Sequence, residues 1–257
     1  MRTVATRLGL VLCCAIFMAA EEKKDEKKKD PPKILMTIPL AVESGSNSTL
    51  KIRGLRLENA SGIRFIDAKF PIDAKIKSKG KAEPPKGLEA PKAGDTQVEI
   101  ELKLPAELAA GPLNFVLVTP DGETQPRSLS ILSKGTSIEE REPNGSFRKP
   151  QDVELNKIIL GQIGEPMDVD VFRFTGKAGQ MIVAEVTAAR LGSALDSTLT
   201  LYDQAGHFLA SNDDEGSTDS ILRVRLEKDG QYLLTLIDAN DKGGAAHPYQ
   251  FLIREEK

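Results

Sequence analysis

The fold class follows from a stretch in which apolar and charged residues alternate strictly, Val98-Glu99-Ile100-Glu101-Leu102-Lys103-Leu104. Successive side chains of a β-strand point to opposite faces, so this period of two predicts a strand with one buried and one solvated face. Leu50 and Ile52 alternate in the same way with Lys51 and Arg53. We therefore expect an antiparallel sheet that covers a core on one side only.

The rest of the chain has the same character. Phe115 to Val118 is a short apolar run that ends in the turn signal Thr119-Pro120-Asp121-Gly122. Residues 75–94, rich in Lys, Pro and Gly, are expected to form a long loop inside the first domain. Further strands are predicted at Asp170 to Phe174, Met181 to Val186, Thr198 to Tyr202, Ile221 to Leu226, Tyr232 to Ile237 and Tyr249 to Ile253. Short Gly- and Asp-containing turns separate them without intervening helices, which predicts an all-β protein of two antiparallel sandwiches.

Residues 1–20 have the pattern of a signal peptide. Arg2 and Arg7 are followed by an apolar run from Leu8 to Phe17, which is too short to span a bilayer. Retention of this segment as an N-terminal anchor is the alternative. Cys13 and Cys14 lie within this segment. One interpretation is a lipoprotein that is acylated at one of these cysteines. We favour the other, that both are apolar filler of the signal peptide, because a lipoprotein signal needs small residues just before the Cys and Leu12 precedes Cys13. Cleavage would leave a chain without cysteine, and hence without disulfides.

The segment 21–33 reads EEKKDEKKKDPPK and cannot bury apolar surface, so we expect a charged, flexible linker. The 257 residues leave room for two domains after it. A net charge of −3 and the absence of any basic stretch that could follow a phosphate backbone argue against nucleic-acid binding. Aromatic residues make up only 5% of the chain, so stacking platforms for sugars or bases are not expected.

Residues 34–134 resemble an IPT/TIG-type immunoglobulin-like domain. The matching features are the Gly54 turn after Thr49-Leu50-Lys51-Ile52-Arg53 and the stretch from Gly111 to Gly122, in which a strand ends in Thr-Pro-Asp-Gly. The resemblance implies a small β-sandwich of the kind common in cell-surface proteins.

Residues 138–257 resemble the bacterial pre-peptidase C-terminal domain. The resemblance is carried by Glu142-Pro143-Asn144, Asp168-Val169-Asp170-Val171-Phe172, Leu195 to Asp203, Asn212-Asp213-Asp214 and Gly230-Gln231-Tyr232. It implies a jelly-roll-like β-sandwich of a type that accompanies secreted proteases and whose collagenase relatives bind collagen and calcium.

Calcium binding is the strongest chemical hypothesis. Glu140, Glu142 and Asn144 occupy alternate positions, as do Asp168 and Asp170, so each set would share one face of an extended segment. Ca²⁺ takes six to eight oxygen ligands, largely carboxylates and carbonyls. The resemblance implies that these five residues together are the ligands. Gly145 stands where such relatives often carry Asp, which removes one carboxylate, and the alternative is that both segments are ordinary turns.

No catalytic motif is present. The two histidines, His207 and His247, lie beside Gly206 and Pro248, outside any nucleophile-elbow or zinc-protease context, and we expect both to be exposed loop residues. The acidic clusters at 212–215 and 238–241 are expected to be turns. An unrecognised hydrolase would require one of these histidines beside a serine and an acid in a pocket.

The sequence thus predicts an exported protein (secreted, periplasmic or at the cell surface) without enzyme activity. Its expected role is binding or adhesion to an extracellular protein or polysaccharide, with calcium as a stabilising ion. The alternative is a structural or accessory protein that partners a secreted protease. No nucleic-acid partner is expected, nor a membrane span in the mature chain.

Overall fold

The computed structural model describes residues 30–66, 68–84, 88–214 and 218–256. The chain is nearly all β, with 53% of its residues in strands and 3% in helices, which confirms the predicted fold class. The predicted signal peptide and most of the charged linker lie outside the described residues. Pro31 to Lys257 form one compact unit, so the domain bounds proposed at 34–134 and 138–257 stay a prediction. Among the described residues, no helix has the length and apolar character needed to cross a membrane.

The first half of this unit is a sandwich of two sheets. One sheet has the strand order β1-β3-β6-β5, and the other has the order β2-β9-β7-β4, with β8 paired to β7. The elements are β1 (Lys33–Ile38), β2 (Ala41–Glu43), β3 (Asn47–Leu55), β4 (Gly62–Phe65), β5 (Asp73–Lys81), α1 (Ala90–Ala93), β6 (Thr96–Lys103), β7 (Gly111–Thr119), β8 (Gly122–Glu123) and β9 (Arg127–Leu132).

The alternating stretch at 98–104 behaves as expected. Val98, Ile100 and Leu102 of β6 are buried in the core between the two sheets, together with Leu50 and Ile52 of β3. Each buried aliphatic side chain contributes about 1.5–3 kcal/mol relative to an exposed one. The charged residues between them face solvent, where Lys51 lies 4.0 Å from Glu99.

The predicted loop at 75–94 is wrong for most of its length. Residues 73–81 form the edge strand β5, which pairs along β6, and residues 90–93 form the short helix α1. The alternating lysines that suggested a loop are exposed along the sheet edge. Charged side chains on an edge strand oppose its pairing with other chains. Because they replace the apolar residues of a half-buried strand, the sequence pattern does not predict a strand here.

The second half is a sandwich of two five-stranded sheets with the orders β10-β12-β19-β14-β17 and β11-β13-β18-β15-β16. A 3₁₀ turn, Ala189–Leu191, follows the strand β14. The strands are β10 (Ser137–Glu139), β11 (Gln151–Asp152), β12 (Ile158–Gln162), β13 (Val169–Gly176), β14 (Met181–Thr187), β15 (Ser197–Asp203), β16 (Phe208–Asn212), β17 (Ile221–Arg225), β18 (Gly230–Asp238) and β19 (Pro248–Glu256).

The core of this second sandwich is richer in aromatic residues than the first. Phe172 and Phe174 of β13 meet Phe251 of β19 and Tyr232 of β18, with ring centroids 5.3 Å apart for Phe172–Phe251 and 5.6 Å apart for Phe174–Tyr232. The sheets are not purely antiparallel as predicted, because β2–β9, β10–β12 and β11–β13 pair in parallel. These pairs involve strands of two or three residues that no sequence period could reveal.

The two sandwiches share contacts. Leu40, from the segment between β1 and β2, is 2% exposed and belongs to the core of the second sandwich. Arg127 donates a hydrogen bond from Nη2 to the carbonyl of Leu191. The Glu43 carboxylate accepts hydrogen bonds from the backbone N–H groups of Gly135 and Ser137, at 3.0 and 2.8 Å. Side chains of the first half therefore fix the connection between the sandwiches.

Candidate functional site

Three carboxylates converge where the chain enters the second sandwich. One oxygen from each of Glu140, Glu142 and Asp170 lies within 4.8 Å of the others. Glu140 directly follows β10, and its backbone N–H continues that ladder by bonding to the carbonyl of Leu160 at 2.9 Å. Asp170 is the second residue of β13, in the opposite sheet, and is fully buried. The cluster thus spans the two sheets of the sandwich.

Asn144 completes the arrangement. Its Nδ2 donates to Glu140 Oε1 at 3.1 Å, and its backbone N–H donates to Glu142 Oε2 at 2.8 Å. Its carbonyl accepts a hydrogen bond from the N–H of Val171 at 3.1 Å, which holds the segment against β13. Asn144 is 1% exposed, so its amide is an interior group of this site.

Two oxygens in the site have no partner among the described groups, namely Asn144 Oδ1 and Asp170 Oδ1. The other carboxylate oxygen of Asp170 accepts a hydrogen bond from the Tyr249 hydroxyl at 2.6 Å. An unpartnered buried oxygen costs about 1–3 kcal/mol, and more when it is charged. The oxygens fit a hard divalent cation, because such an ion is bound by carboxylate and amide oxygens.

The crowded carboxylates change their proton affinities. Burial raises the pKa of Asp170 to about 8, and the nearby charges of Glu140 and Asp168 add to that rise. Burial, followed by the charge of Glu142, raises the pKa of Glu140 to about 7. Both shifts have the same cause, since the ionised forms lose hydration and face like charges. A bound cation would remove this penalty.

Of the five predicted ligands, Asp168 is placed differently. It is half-buried, precedes β13, and its Oδ2 accepts the N–H of Gly164 at 2.7 Å. It lies outside the group of mutually close carboxylates, although its charge is felt at Glu140 and Asp170. The structure thus brings Glu140, Glu142, Asn144 and Asp170 together and leaves Asp168 beside them.

The prediction for the histidines is half wrong. His207 is exposed, with Nδ1 2.9 Å from the Asp203 carboxylate. His247 is 1% exposed, and neither of its ring nitrogens has a hydrogen-bond partner among the described groups. Burial lowers the pKa of His247. Among the described residues, no hydrogen bond joins either imidazole to a serine hydroxyl.

Sequence reasoning missed a row of surface aromatic rings. The ring of Phe147, from the segment before β11, packs edge-on against Tyr202 of β15 with centroids 4.8 Å apart. Tyr202 in turn meets Phe208 of β16 at 6.5 Å. Three distant segments supply these rings, so the composition alone could not reveal the cluster.

No protein-family model matches the chain. A probable subtilase-type serine protease of Deinococcus radiodurans is 41% identical over 117 residues, which are 43% of this chain and 16% of that protein. The chain thus spans less than a fifth of that curated relative.

Two solved structures illustrate how distant the structural similarities are. The pre-peptidase C-terminal domain of the Bacillus anthracis collagenase is 17% identical, with a TM-score of 0.35, and covers 45% of this chain and 100% of its own. A Bacteroides ovatus glucan-utilization protein, SGBP-B, solved with a mixed-linkage heptasaccharide, is 10% identical with a TM-score of 0.27; the match covers 81% of this chain and 74% of SGBP-B. The predicted pre-peptidase C-terminal type is thus among the similar structures, and the IPT/TIG-like identity of the first sandwich stays a prediction.

Proposed function

We propose that this chain is an exported, non-catalytic binding module whose second sandwich is stabilised by calcium. The observation that carries the proposal is the convergence of Glu140, Glu142 and Asp170 around unpartnered buried oxygens. The signal-like residues 1–20 support export. The identity shared with part of a subtilase-type serine protease supports a role beside a protease.

Calcium fits the cluster better than a transition metal. The available donors are carboxylate and amide oxygens, with neither imidazole nor thiolate among them, and such hard donors suit Ca²⁺ or Mg²⁺. The wide, irregular set of oxygens favours Ca²⁺, since Mg²⁺ demands near-ideal octahedral geometry and keeps several waters. Glu140, Glu142, Asn144 and Asp170 would hold the ion.

The ion would stabilise the fold by linking two segments of the chain. Glu140 and Glu142 lie on the segment that follows β10, whereas Asp170 lies on β13 in the facing sheet. A cation held by both would tie the entry segment to the two sheets at once. Its binding free energy would add to folding stability, because the site does not exist in the unfolded chain.

The metal claim is tested by calorimetric titration of the full chain with calcium after chelator treatment. We expect one site per chain, lost in a Glu140→Gln/Glu142→Gln double variant. Glu154→Gln, an exposed acid outside the cluster, is the matched control and should bind as the wild type does. Equal heats for the double variant and the wild type would contradict the assignment of the ligands.

The binding role is tested by immobilising the full chain and passing the exported fraction of its source over it. Retention of a matrix polymer or surface protein supports adhesion. Retention of one secreted protease supports the accessory role, which the subtilase-type relative favours. Retention of neither, with the chain folded on the support, would contradict a binding function.

A further inference from the structure

We propose that the edge strand β16 binds an extended polypeptide by strand addition, and that it selects apolar segments flanked by basic residues. This inference rests on the proposed binding function and gives it a location and a class of partner. It concerns a surface separate from the carboxylate cluster.

One side of the strand has no strand partner among the described residues, although at its end Asn212 Oδ1 accepts the N–H of Ile221 from β17. β16 is the last member of the order β11-β13-β18-β15-β16 and pairs only with β15 among the described strands. In an antiparallel pair, part of each strand's N–H and C=O groups point away from the partner, so an edge strand presents a row of groups that can pair with another chain. An added peptide strand would satisfy them through main-chain hydrogen bonds.

β16 lacks the protection that other edges carry. Its residues, Phe208-Leu209-Ala210-Ser211-Asn212, include no charged side chain. By contrast, the edge strand β5 carries Lys75, Lys77, Lys79 and Lys81, and β17, at the edge of the facing sheet, carries Arg223 and Arg225. Charges on edge strands oppose pairing with a second chain. The uncharged edge is therefore the one at which pairing is least opposed.

The surface around this edge is apolar. Phe208 is 63% exposed, Leu209 42% and Phe147 41%, and the rings of Phe147, Tyr202 and Phe208 form a continuous row that ends at the strand. Exposed apolar patches of this kind mark interaction sites in soluble proteins. Apolar side chains of an added strand that point to this face would cover Phe208 and continue the apolar surface.

The charges at the strand ends indicate which peptide fits. Asp213 and Asp214 follow β16 and are exposed, and Asp203 lies at the hairpin before it. Burial raises the pKa of the neighbouring Asp196, and the charges of Asp214, Asp238 and Asp213 add to that rise, so four acids lie close together at this end. Basic residues beside the apolar segment would complement these acids. A second copy of the chain, with the same acids and a net charge of −3, would not.

The test uses fluorescence anisotropy of a labelled peptide, Lys-Lys-Val-Thr-Val-Thr-Val-Lys-Lys, titrated with the full chain in calcium. Val and Thr favour the extended conformation. We expect Phe208→Lys to weaken binding about tenfold or more, as expected for loss of a central contact. Phe70→Lys makes the same change at an exposed Phe of the first sandwich and should leave the affinity unchanged. A peptide with N-methyl groups at alternate residues, and one with Glu in place of Lys, should each bind at least about tenfold more weakly.

Several outcomes would overturn the inference: no binding of the lysine-ended peptide, equal binding to Phe208→Lys, or equal binding of the N-methylated or glutamate-ended peptide. Self-association abolished by Phe208→Lys, measured by sedimentation, would assign the edge to a second copy and also overturn it. If the chain retains a polymer or protease from the exported fraction but ignores these peptides, the proposed function stands and strand addition at β16 fails.

Discussion

Replacing Asp170 by Asn gives the sharpest test of the carboxylate cluster, because the change removes a charge while keeping the shape. Asp170 is fully buried, and its Oδ2 accepts the Tyr249 hydroxyl at 2.6 Å. An Asn oxygen can accept the same hydrogen bond. The variant therefore separates the cost of the buried charge from the loss of packing.

The magnitude follows from the raised pKa. For Asp170 the pKa rises from 3.8 to about 8, so the metal-free protein has the full contribution of this group only below about pH 3.8 and loses it progressively as the pH rises from there to about 8. Each pKa unit corresponds to about 1.4 kcal/mol, which sets an upper limit of about 6 kcal/mol above pH 8. Coupling to Glu140 means that part of this cost is shared. The Tm of a chain of this size changes by about 2–4 °C per kcal/mol, so a destabilisation of one third of the limit, about 2 kcal/mol, shifts Tm by about 4–8 °C.

The assay is differential scanning calorimetry at about pH 5 and pH 8, with chelator or with calcium. In chelator we expect Asp170→Asn to melt above the wild type, by a clearly larger margin at pH 8 than at pH 5, because at pH 5 only the first part of the interval between the unfolded and folded pKa values has been crossed. Calcium at a hundredfold excess over its Kd should stabilise the wild type at pH 8 by about 2.7 kcal/mol and leave the variant unchanged.

Asp238→Asn is the matched control. Asp238 is also buried, but its carboxylate accepts the backbone N–H groups of Asp196, Asn240 and Lys242. An amide cannot replace all of these acceptors, so this variant should melt lower at both pH values. If Asp170→Asn also melts below the wild type in chelator at pH 8, the claim that the charge is a burden in the metal-free protein is refuted.

Three further changes have expected outcomes that chemical denaturation can measure, together with calcium titration for the last of them. A Cβ on Gly192, at φ 90°, would lie 2.3 Å from the carbonyl oxygen of Leu35, so Gly192→Ala should cost more than about 1 kcal/mol; a neutral result would contradict the contact between the sandwiches. Asp219→Ala should cost about 3 kcal/mol, because three backbone N–H groups lose their acceptor, whereas the exposed Asp213→Ala should stay within about 0.5 kcal/mol. Gly161→Ala places a Cβ 2.3 Å from the Tyr249 hydroxyl, and we expect it to weaken calcium binding along with stability; unaltered calcium affinity would separate Tyr249 from the site.

The strands that alternate were predictable, and those at the edges were not. β3, β6, β13 and β15 lie where the period of two placed them, because each has one face on a core. The pattern predicts a loop where β5 lies, since an exposed edge strand needs no apolar face. The burial of His247 depends on packing between loops that are distant in sequence, and no local pattern reports it.

The candidate site was predictable to the same extent. The spacing of Glu140, Glu142 and Asn144 placed them together correctly, because that segment is extended against β13. Asp168 failed to join because the alternation breaks before the strand. Met167 has a φ of 65°, and Asp168 closes a turn by donating its N–H to the carbonyl of Glu165. The rule that residues two apart share a face holds only for regular strand, so it does not extend to Asp168.

The burial of Leu40 in the second sandwich has a consequence for how the chain can be divided. A fragment that begins after the first sandwich would lack this side chain and expose a cavity in its aromatic core, at a cost of about 2–5 kcal/mol. The second sandwich is therefore not an independent domain that can be moved to another protein without loss of stability. A fusion that transplants it should carry the residues from β1 to β2 along with it, and a cut placed between the halves would weaken the second sandwich even though all of its own strands remain.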